Sequence, residues 1–330
     1  MRFVTFTIDD GSKRPAPAWS LDRCASTRVG VQRSDGTIHA MAPGRRLVDL
    51  IADGPEVLAG YGQAAIDQPI DVVSPDDVRL LPPVPAPPSV RDFMTFEQHV
   101  AGAVKTRSPE ATVPPEWYDV PAFYFSNPAG LVGANDPVPM PPGSHQLDLE
   151  LEVAVVIGRA GANIAVEDAA AHIAGYTILN DWSARDVQRH EMRIGLGPAK
   201  GKDTATTLGP ALVTADELTP YAAGTSFDLG LRAFVNGQLL GQDVLSHMHW
   251  SFAQMVSYAS RGTWLRPGDV LGSGTCGRGC LLELWGRSGF DARPSLQVGE
   301  WVRLEVDVLG AVENVVVAPD PLQPLGAGRP

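Results

Sequence analysis

Short runs of apolar residues, separated by turn residues, make up most of this chain. The last third has one strand-like run after another, among them "CLLELWG" at 280–286, and its "VNGQ" turn is typical of a β-hairpin. Helical patterns occur at 44–61, 95–107, 164–175 and 183–192. The pattern therefore predicts an α+β fold that is mostly β.

A proline-rich segment, "LLPPVPAPPSV" at residues 80–90, interrupts this pattern. So many prolines make the segment stiff and extended, and exclude a helix or a central strand. We place a domain boundary here. The expected organisation is a small β-rich N-terminal domain at 1–80, a linker at 81–91, a catalytic domain at 92–318 and a flexible tail at 319–330.

Composition narrows the classes of partner and compartment. The 330 residues carry a formal net charge of −12 and no long Lys/Arg run, which argues against a nucleic-acid partner. The three cysteines are too few for a disulfide framework and suit a reducing compartment. No apolar stretch approaches the roughly 20 residues of a membrane span, and no signal core is evident. We expect a soluble cytoplasmic protein with no membrane partner.

The strand "LDLELEVAVVIG", residues 147–158, places Glu150 and Glu152 ahead of a strongly apolar run. Alternate side chains of a strand share one face, so the two carboxylates repel unless a positive group lies between them. Asp181, which ends an apolar strand, and Asp92, which follows the prolines, add further oxygen ligands. Such ligands without suitably spaced Cys or His favour Mg²⁺, Mn²⁺ or Ca²⁺. For the pair alone, a solvated edge strand without an ion remains an alternative.

The loop "GSGTCGRG", residues 272–279, contains a G-x-G-x-x-G pattern. A dinucleotide-binding loop requires a helix directly after it, whereas a strand is expected here, so we reject that interpretation. Cys276 and Cys280 lack a second pair of cysteine or histidine ligands with zinc-site spacing.

Taken together, several motifs resemble the fumarylacetoacetate hydrolase family over residues 85–315. They are, in order, "DFMTFEQH", "LDLELEVAVVIG", "NDWSARDVQ", "KGKDTATTLGP", "FVNGQ", "RPGDVLGSGT" and "CLLELWG". The resemblance implies a mixed β-sandwich roll behind a small N-terminal domain, commonly in a homodimer. It also implies one divalent cation, usually Mg²⁺ or Ca²⁺, bound by Asp92, Glu150, Glu152 and Asp181.

The same resemblance implies a catalytic set. His99, seven residues after Asp92, becomes the candidate general base, because imidazole suits proton abstraction from water. Glu283 would orient it, which gives a physical reason for a lone acid in an apolar run. Lys200, at the start of "KGKDTATTLGP", would stabilise the enolate and protonate the leaving carbon.

Further residues are implied in substrate binding. The resemblance assigns Gln188, Thr204 and Thr275 to this role. The family's tyrosine-histidine-glycine signature is missing here, and Tyr124, Ser126 and Asn127 are the candidates to substitute for it. Arg185 either orders the carboxylates or makes a simple helix-surface pair. Met94 and Met192 stand where full fumarylacetoacetate enzymes carry tyrosines, which predicts a more apolar pocket.

These features predict a divalent-metal-dependent hydrolase that cleaves a carbon–carbon bond in a β-diketo acid during aromatic catabolism. The Asp92–His99 spacing and the late Glu283 motif resemble the true hydrolases of the family. A decarboxylase, hydratase or isomerase of 2-keto acids is the first alternative, since the same chelate stabilises an enolate. A non-catalytic protein with a structural cation is the second.

Overall fold

The structure is a computed structural model that describes residues 1–8, 16–22, 24–106 and 108–326. The helices are α1 (Ala18–Leu21), α2 (Leu47–Ala52), α3 (Pro55–Asp67), α4 (Glu97–Val104), α5 (Arg185–Glu191), α6 (Ala215–Leu218), α7 (Phe252–Ala259) and α8 (Leu281–Ser288). The strands are β1 (Arg2–Ile8), β2 (Arg28–Gln32), β3 (Ile38–Ala40), β4 (Asp71–Val73), β5 (Val78–Leu81), β6 (Val90–Phe93), β7 (Phe123–Ser126), β8 (Leu131–Val132), β9 (Val138–Pro139), β10 (Leu147–Asp148), β11 (Leu151–Ile157), β12 (Gly161–Ala162), β13 (Ile173–Asp181), β14 (Ser183–Ala184), β15 (Thr206–Thr214), β16 (Ala222–Ala223), β17 (Ser226–Phe227), β18 (Gly230–Val235), β19 (Gln238–Val244), β20 (Trp264–Leu265), β21 (Val270–Gly272), β22 (Trp301–Val306) and β23 (Gly310–Val317).

A large mixed sheet organises the chain, in the order β4-β3-β2-β1-β15-β13-β11-β21-β6-β7, with β5 on β1 and β8 on β15. Most pairs are antiparallel, but β21 pairs with β6 in parallel. A second sheet has the order β19-β18-β22-β23-β9. The predicted α+β, mostly β fold is confirmed.

Strand β11 lies at the centre of the large sheet, between β13 and β21, and all its residues are buried. Val153 and Val155 belong to one apolar core, which also includes residues of β18 and β22. Ala154 and Val156 belong to a second core, under α2 and α3. Both faces of β11 are therefore covered, which explains the continuous apolar run at 153–157.

The first strands share a sheet with the central part of the chain, because β1 pairs directly with β15. The proposed division into a domain at 1–80, a linker at 81–91 and a catalytic domain at 92–318 stays a prediction. The same holds for a flexible tail: residues 318–326 contain no helix or strand, and residues 327–330 lie outside the described residues.

Two local predictions have clear outcomes. The "VNGQ" hairpin is confirmed, since Asn236 and Gly237 connect β18 to β19 with φ values of 51° and 76°. The strand predicted for 280–286 is wrong, because these residues begin helix α8. A short apolar run does not distinguish a strand from a buried helix by periodicity.

In the part of the chain that the structure describes, no helix has the length and apolarity to cross a membrane.

Candidate active site

Four buried carboxylates converge beside the centre of the large sheet. Asp92 lies on β6, Glu150 directly precedes β11, Glu152 is the second residue of β11, and Asp181 ends β13. One oxygen of each lies within 4.8 Å of an oxygen of every other. Gly272 of β21 leaves the space for this convergence, since a Cβ there would lie 2.7 Å from Asp92 Oδ1 and 2.9 Å from Glu152 Oε2.

Three oxygens of this cluster are buried without a hydrogen-bond partner in the described structure: Asp92 Oδ1, Glu152 Oε1 and Asp181 Oδ1. Buried acceptors are normally paired, so such a concentration needs a reason. Carboxylate oxygens are the ligands of hard divalent cations. The donor set therefore fits a cation such as Mg²⁺, Mn²⁺ or Ca²⁺.

Two buried cationic side chains contact the same cluster. Lys202 Nζ lies 2.5 Å from Glu150 Oε2 and also contacts Asp181 Oδ2. Arg185 Nη2 lies 2.5 Å from Glu150 Oε1 and 2.7 Å from Asp148 Oδ2. Of the two roles considered for Arg185, ordering the carboxylates matches this geometry, because its side chain is buried and not on a helix surface.

Burial and the neighbouring charges shift the pKa values of the clustered carboxylates in different directions. Burial raises the pKa of Asp181 to about 8, against the opposing effect of Lys202. Burial, and then the charge of Asp92, raise the pKa of Glu152 well above its usual range. Burial also disfavours ionised Glu150, but Arg185 and Lys202 outweigh it and hold the pKa of Glu150 below its usual value. The two bound cationic side chains thus balance only part of the cluster's charge.

A histidine–carboxylate pair lies next to this cluster. His99 of α4 places its Nδ1 2.9 Å from Glu283 Oε1 of α8, and both side chains are buried. The other oxygen of Glu283 accepts a hydrogen bond of 2.8 Å from the Arg278 backbone N–H. A carboxylate on Nδ1 orients the ring and leaves Nε2 as the nitrogen available for proton transfer.

Two glycines allow the helices that carry this pair to approach. A Cβ at Gly286 of α8 would lie 2.4 Å from the Gly102 carbonyl oxygen of α4, and a Cβ at Gly102 would lie 2.8 Å from Glu283 Cγ. Larger residues at either position would separate α4 from α8. The distance between His99 and Glu283 therefore depends on this close packing.

Three of the four carboxylates and the histidine line one cavity of about 880 Å³, and Asp181 lies behind them. Asp92, Glu150, Glu152, His99 and Lys202 line its polar side. Met94 and Met192, the two positions that lack a tyrosine, line it as well. Much of the remaining wall is apolar or aromatic and includes Phe93, Val100, Trp117, Phe123, Leu282 and Phe290.

The residues predicted to bind substrate do not all reach this cavity. Gln188, Thr275, Arg185 and Tyr124 line it. Tyr124 donates its hydroxyl hydrogen to Asp181 Oδ2, and Gln188 Oε1 accepts a hydrogen bond of 3.1 Å from Arg185 Nη1. Thr204 is not among the lining residues, and its buried hydroxyl has no partner in the described structure.

The structure corrects the position of the predicted lysine. The Lys200 side chain is 70% exposed and pairs with Asp203, whereas the Lys202 side chain is 5% exposed and lies among the carboxylates. The short helical turn at Lys200–Lys202 directs the two side chains differently. The four-residue spacing from Lys200 to Thr204 recurs from Lys202 to Thr206, so the sequence offered both registers.

Asp148 is a buried residue of the site that sequence reasoning missed. It accepts hydrogen bonds of 2.7 and 3.0 Å from the Leu281 and Leu282 N–H groups and binds Arg185. The signal was the alternation of three acids, Asp148, Glu150 and Glu152.

Since a helix does follow the 272–279 loop, the reason given for rejecting a dinucleotide site is wrong. The first N–H groups of α8 are instead bound to Asp148.

Comparison with known proteins identifies relatives along most of the chain. Mitochondrial oxaloacetate tautomerase fahd2 of Xenopus laevis is 32% identical over 326 residues, which cover 96% of this chain and 90% of that protein. Fumarylacetoacetase of Rattus norvegicus is 31% identical over 241 residues, which cover 58% of this chain. The match spans 57% of the length of that fumarylacetoacetase.

Solved structures share the fold at lower identity. Fumarylacetoacetate hydrolase from Exiguobacterium antarcticum superposes with a TM-score of 0.70 at 24% identity, covering 96% of this chain and 100% of that one. Maleylpyruvate hydrolase from Sphingobium sp. SYK-6, solved with manganese(II) and pyruvate, gives a TM-score of 0.69 at 23% identity, covering 97% and 100%. The family model for the fumarylacetoacetate hydrolase C-terminal region matches residues 89–317. The chain belongs to the fumarylacetoacetate hydrolase family.

Proposed function

We propose that this protein is a divalent-metal-dependent hydrolase that cleaves a carbon–carbon bond in a β-diketo acid of the acylpyruvate type. One observation carries the proposal: the His99–Glu283 pair and the four-carboxylate cluster line or adjoin the same cavity. A structural cation alone has no use for an oriented histidine beside it. This argues against a non-catalytic metal-binding protein.

Asp92, Glu150, Glu152 and Asp181 would hold the cation. When bound, it supplies Lewis-acid chemistry to the two oxygens of a keto–enolate group. The partnerless oxygens of three of these residues support this assignment. Mg²⁺, Mn²⁺ and Ca²⁺ are the candidates, and the manganese(II) in the maleylpyruvate hydrolase structure is consistent with them.

His99 is proposed as the general base. With Nδ1 held by Glu283, its Nε2 takes a proton from water, and the resulting hydroxide adds to the carbonyl distal to the acid group. When the carbon–carbon bond breaks, its electron pair stays on the leaving carbon as an enolate. The developing imidazolium is stabilised by the adjacent carboxylate of Glu283.

Lys202, and not Lys200, is proposed as the proton donor to the leaving carbon. Burial favours neutral Lys202, but Asp181 and Glu150 outweigh it and raise its pKa, so the ammonium is present to donate. Gln188, Thr275, Tyr124 and Arg185 line the cavity and would orient the substrate. The pyruvate bound in the Sphingobium structure is a 2-oxo acid of the kind that such cleavage releases.

Tautomerisation of a 2-oxo dicarboxylate is the second candidate, because the tautomerase relative covers 96% of the chain. The same His99–Glu283 pair could move a proton from carbon without adding water. Decarboxylation belongs to the same group of enolate-forming reactions.

Assembly as a homodimer, a cytoplasmic location and a role in aromatic catabolism also remain proposals, based on the resemblance to the family and on composition.

Product analysis separates these reactions. The protein with Mn²⁺ would be given acetylpyruvate, and acetate and pyruvate would be followed by NMR, with Mn²⁺ alone as the blank. Oxaloacetate would be assayed in parallel for keto–enol exchange and for release of CO₂. Equal amounts of acetate and pyruvate, abolished by chelator, are expected. Enzymatic exchange or CO₂ release with no acetylpyruvate cleavage would contradict the hydrolase.

A further inference from the structure

A second cavity, of about 490 Å³, is lined by Val90 and Arg91 of β6 and by Phe125 and Ser126 of β7. Arg91 and Asp92 are consecutive residues of β6, so their side chains point to opposite faces of the sheet. Asp92 lines the candidate active site, and Arg91 lines the second cavity. Arg266, Phe125 and Trp264 also line this second cavity, which shares no lining residue with the first.

The guanidinium of Arg91 is buried but incompletely paired. Arg91 is 5% exposed, its Nη1 donates to the Ala259 carbonyl oxygen at 2.9 Å, and its Nε has no partner in the described structure. Within the described residues it forms no ion pair with a carboxylate. A buried charge is costly without a counter-charge, so an anion at this position would be stabilised.

Burial lowers the pKa of Arg91, and the charge of Asp269 opposes this only in part, while the Asp269 oxygens accept hydrogen bonds from other groups. Asp269 accepts a hydrogen bond of 2.9 Å from Ser89 Oγ and one of 2.8 Å from the Arg266 backbone N–H. The Arg266 side chain makes only a 3.4 Å hydrogen bond to the Pro88 carbonyl oxygen among the described residues. The cavity therefore presents two arginines without a matching number of free carboxylates.

Aromatic rings surround these positive charges. The Arg91 guanidinium lies 5.6 Å from the centre of the Phe123 ring and 5.3 Å from that of Phe125. Phe125 and Trp264 are 65% and 64% exposed, so both rings are accessible to a molecule in the cavity. Arginine binds carboxylates through a planar fork, and aromatic side chains favour planar apolar groups.

We propose that this cavity is a second ligand site, which binds a small aromatic or conjugated carboxylate. The carboxylate pairs with Arg91 and Arg266, and the ring lies against Phe125 and Trp264. This site is separate from the cation cluster, so binding there does not require a divalent cation.

Benzoate is the probe. The full chain would be titrated with benzoate by calorimetry, once with Mn²⁺ and once with chelator. The fluorescence of Trp264 would be obtained by subtracting the emission of Trp264→Phe from that of the wild type. Saturable binding of equal affinity under both metal conditions is expected. Arg266→Gln should weaken it by about tenfold or more, since one charge-assisted hydrogen bond is lost. Arg91→Met should weaken it further.

Matched probes test each part of the proposal. Benzyl alcohol, which lacks the charge, and cyclohexanecarboxylate, which lacks the planar ring, should both bind more weakly than benzoate; inorganic phosphate tests the charge alone. If Arg91→Met does not fold, Arg266→Gln and Trp264→Ala at more exposed positions still decide. Unchanged affinity in these variants, or binding that requires Mn²⁺, would overturn the proposal. The proposal would also be overturned if the protein did not bind benzoate and its dimer dissociated on Trp264→Glu. That result would make this face an interface between two copies.

Discussion

Nδ1 of His99 lies 2.9 Å from Oε1 of Glu283, although 184 positions separate the two residues in the sequence. The carboxylate is fixed on its other side by the Arg278 N–H, so the imidazole has one defined orientation. Helix α4 carries the proposed base and helix α8 carries its proposed partner. The proposed proton transfer therefore depends on how these two helices pack.

Removing the histidine should abolish most turnover and leave cation binding intact. His99→Ala should lower kcat by about 10²–10⁴-fold, which is the usual contribution of a general base. Glu283→Gln should give a smaller loss, because the ring keeps its position but loses the adjacent negative charge. Steady-state kinetics on acetylpyruvate and Mn²⁺ calorimetry measure the two properties. His172→Gln, at a histidine outside the cavity, is the control, and full activity in His99→Ala would exclude this mechanism.

Lys200 and Lys202 provide a matched pair two residues apart. Lys202→Met should lose activity by orders of magnitude, because Glu150 and Asp181 lose their buried counter-charge and the leaving carbon loses its proton donor. Lys200→Met should retain nearly full activity, since an exposed ion pair with Asp203 contributes only about 0–1 kcal/mol. Comparable kcat/KM values in the two variants would contradict the assignment.

The glycine contact between α4 and α8 can be tested in the same way. Gly286→Ala should destabilise the protein by about 1–3 kcal/mol through overpacking and lower kcat by moving Glu283. Gly60→Ala in α3 is the control: a Cβ there meets nothing within 4 Å, so a gain of up to about 1 kcal/mol is expected. Urea unfolding and kinetics measure both effects. A Gly286→Ala protein as stable and active as the wild type would show that the contact can relax without consequence.

Much of the site could be predicted because its signals are local. The apolar run of β11 predicted a buried strand, and the alternation of Glu150 and Glu152 predicted that both would face one way. Asp92 and Asp181 each end or interrupt an apolar segment, so their type and place pointed to the same cluster. Motif order then joined segments that no local pattern connects.

The remaining features depend on tertiary contacts. Lys200 and Lys202 each precede a threonine by four residues, so the motif does not distinguish between them. Only the backbone turn that carries both decides which side chain is buried. Residues 281–285 are apolar apart from Glu283, so their pattern is compatible with a strand or with a helix. The close contact between Gly102 and Gly286, which packs α8 against α4, is a tertiary feature that this pattern does not show. The pairing of β1 with β15 likewise cannot be read from the proline-rich segment between them.

Loss of one carboxylate should separate stability from cation binding. Burial and the charge of Asp92 raise the pKa of Glu152, so Glu152→Gln should unfold at a temperature no lower than that of the metal-free wild type. The wild type should gain about 2.7 kcal/mol with Mn²⁺ at one hundred times its Kd, whereas the variant should gain little. Thermal unfolding with and without Mn²⁺ measures both. An equal gain in the two proteins would show that Glu152 is not a ligand.

The most direct test of the account is the stoichiometry of Mn²⁺ binding, measured by calorimetry on the chelator-treated protein. We expect one Mn²⁺ per chain in the wild type, and loss of that binding in both Asp92→Asn and Asp181→Asn. These two residues come from different strands, so a common loss would show that they share one ion. No binding by the wild type, or unchanged binding by both variants, would contradict the four-carboxylate site.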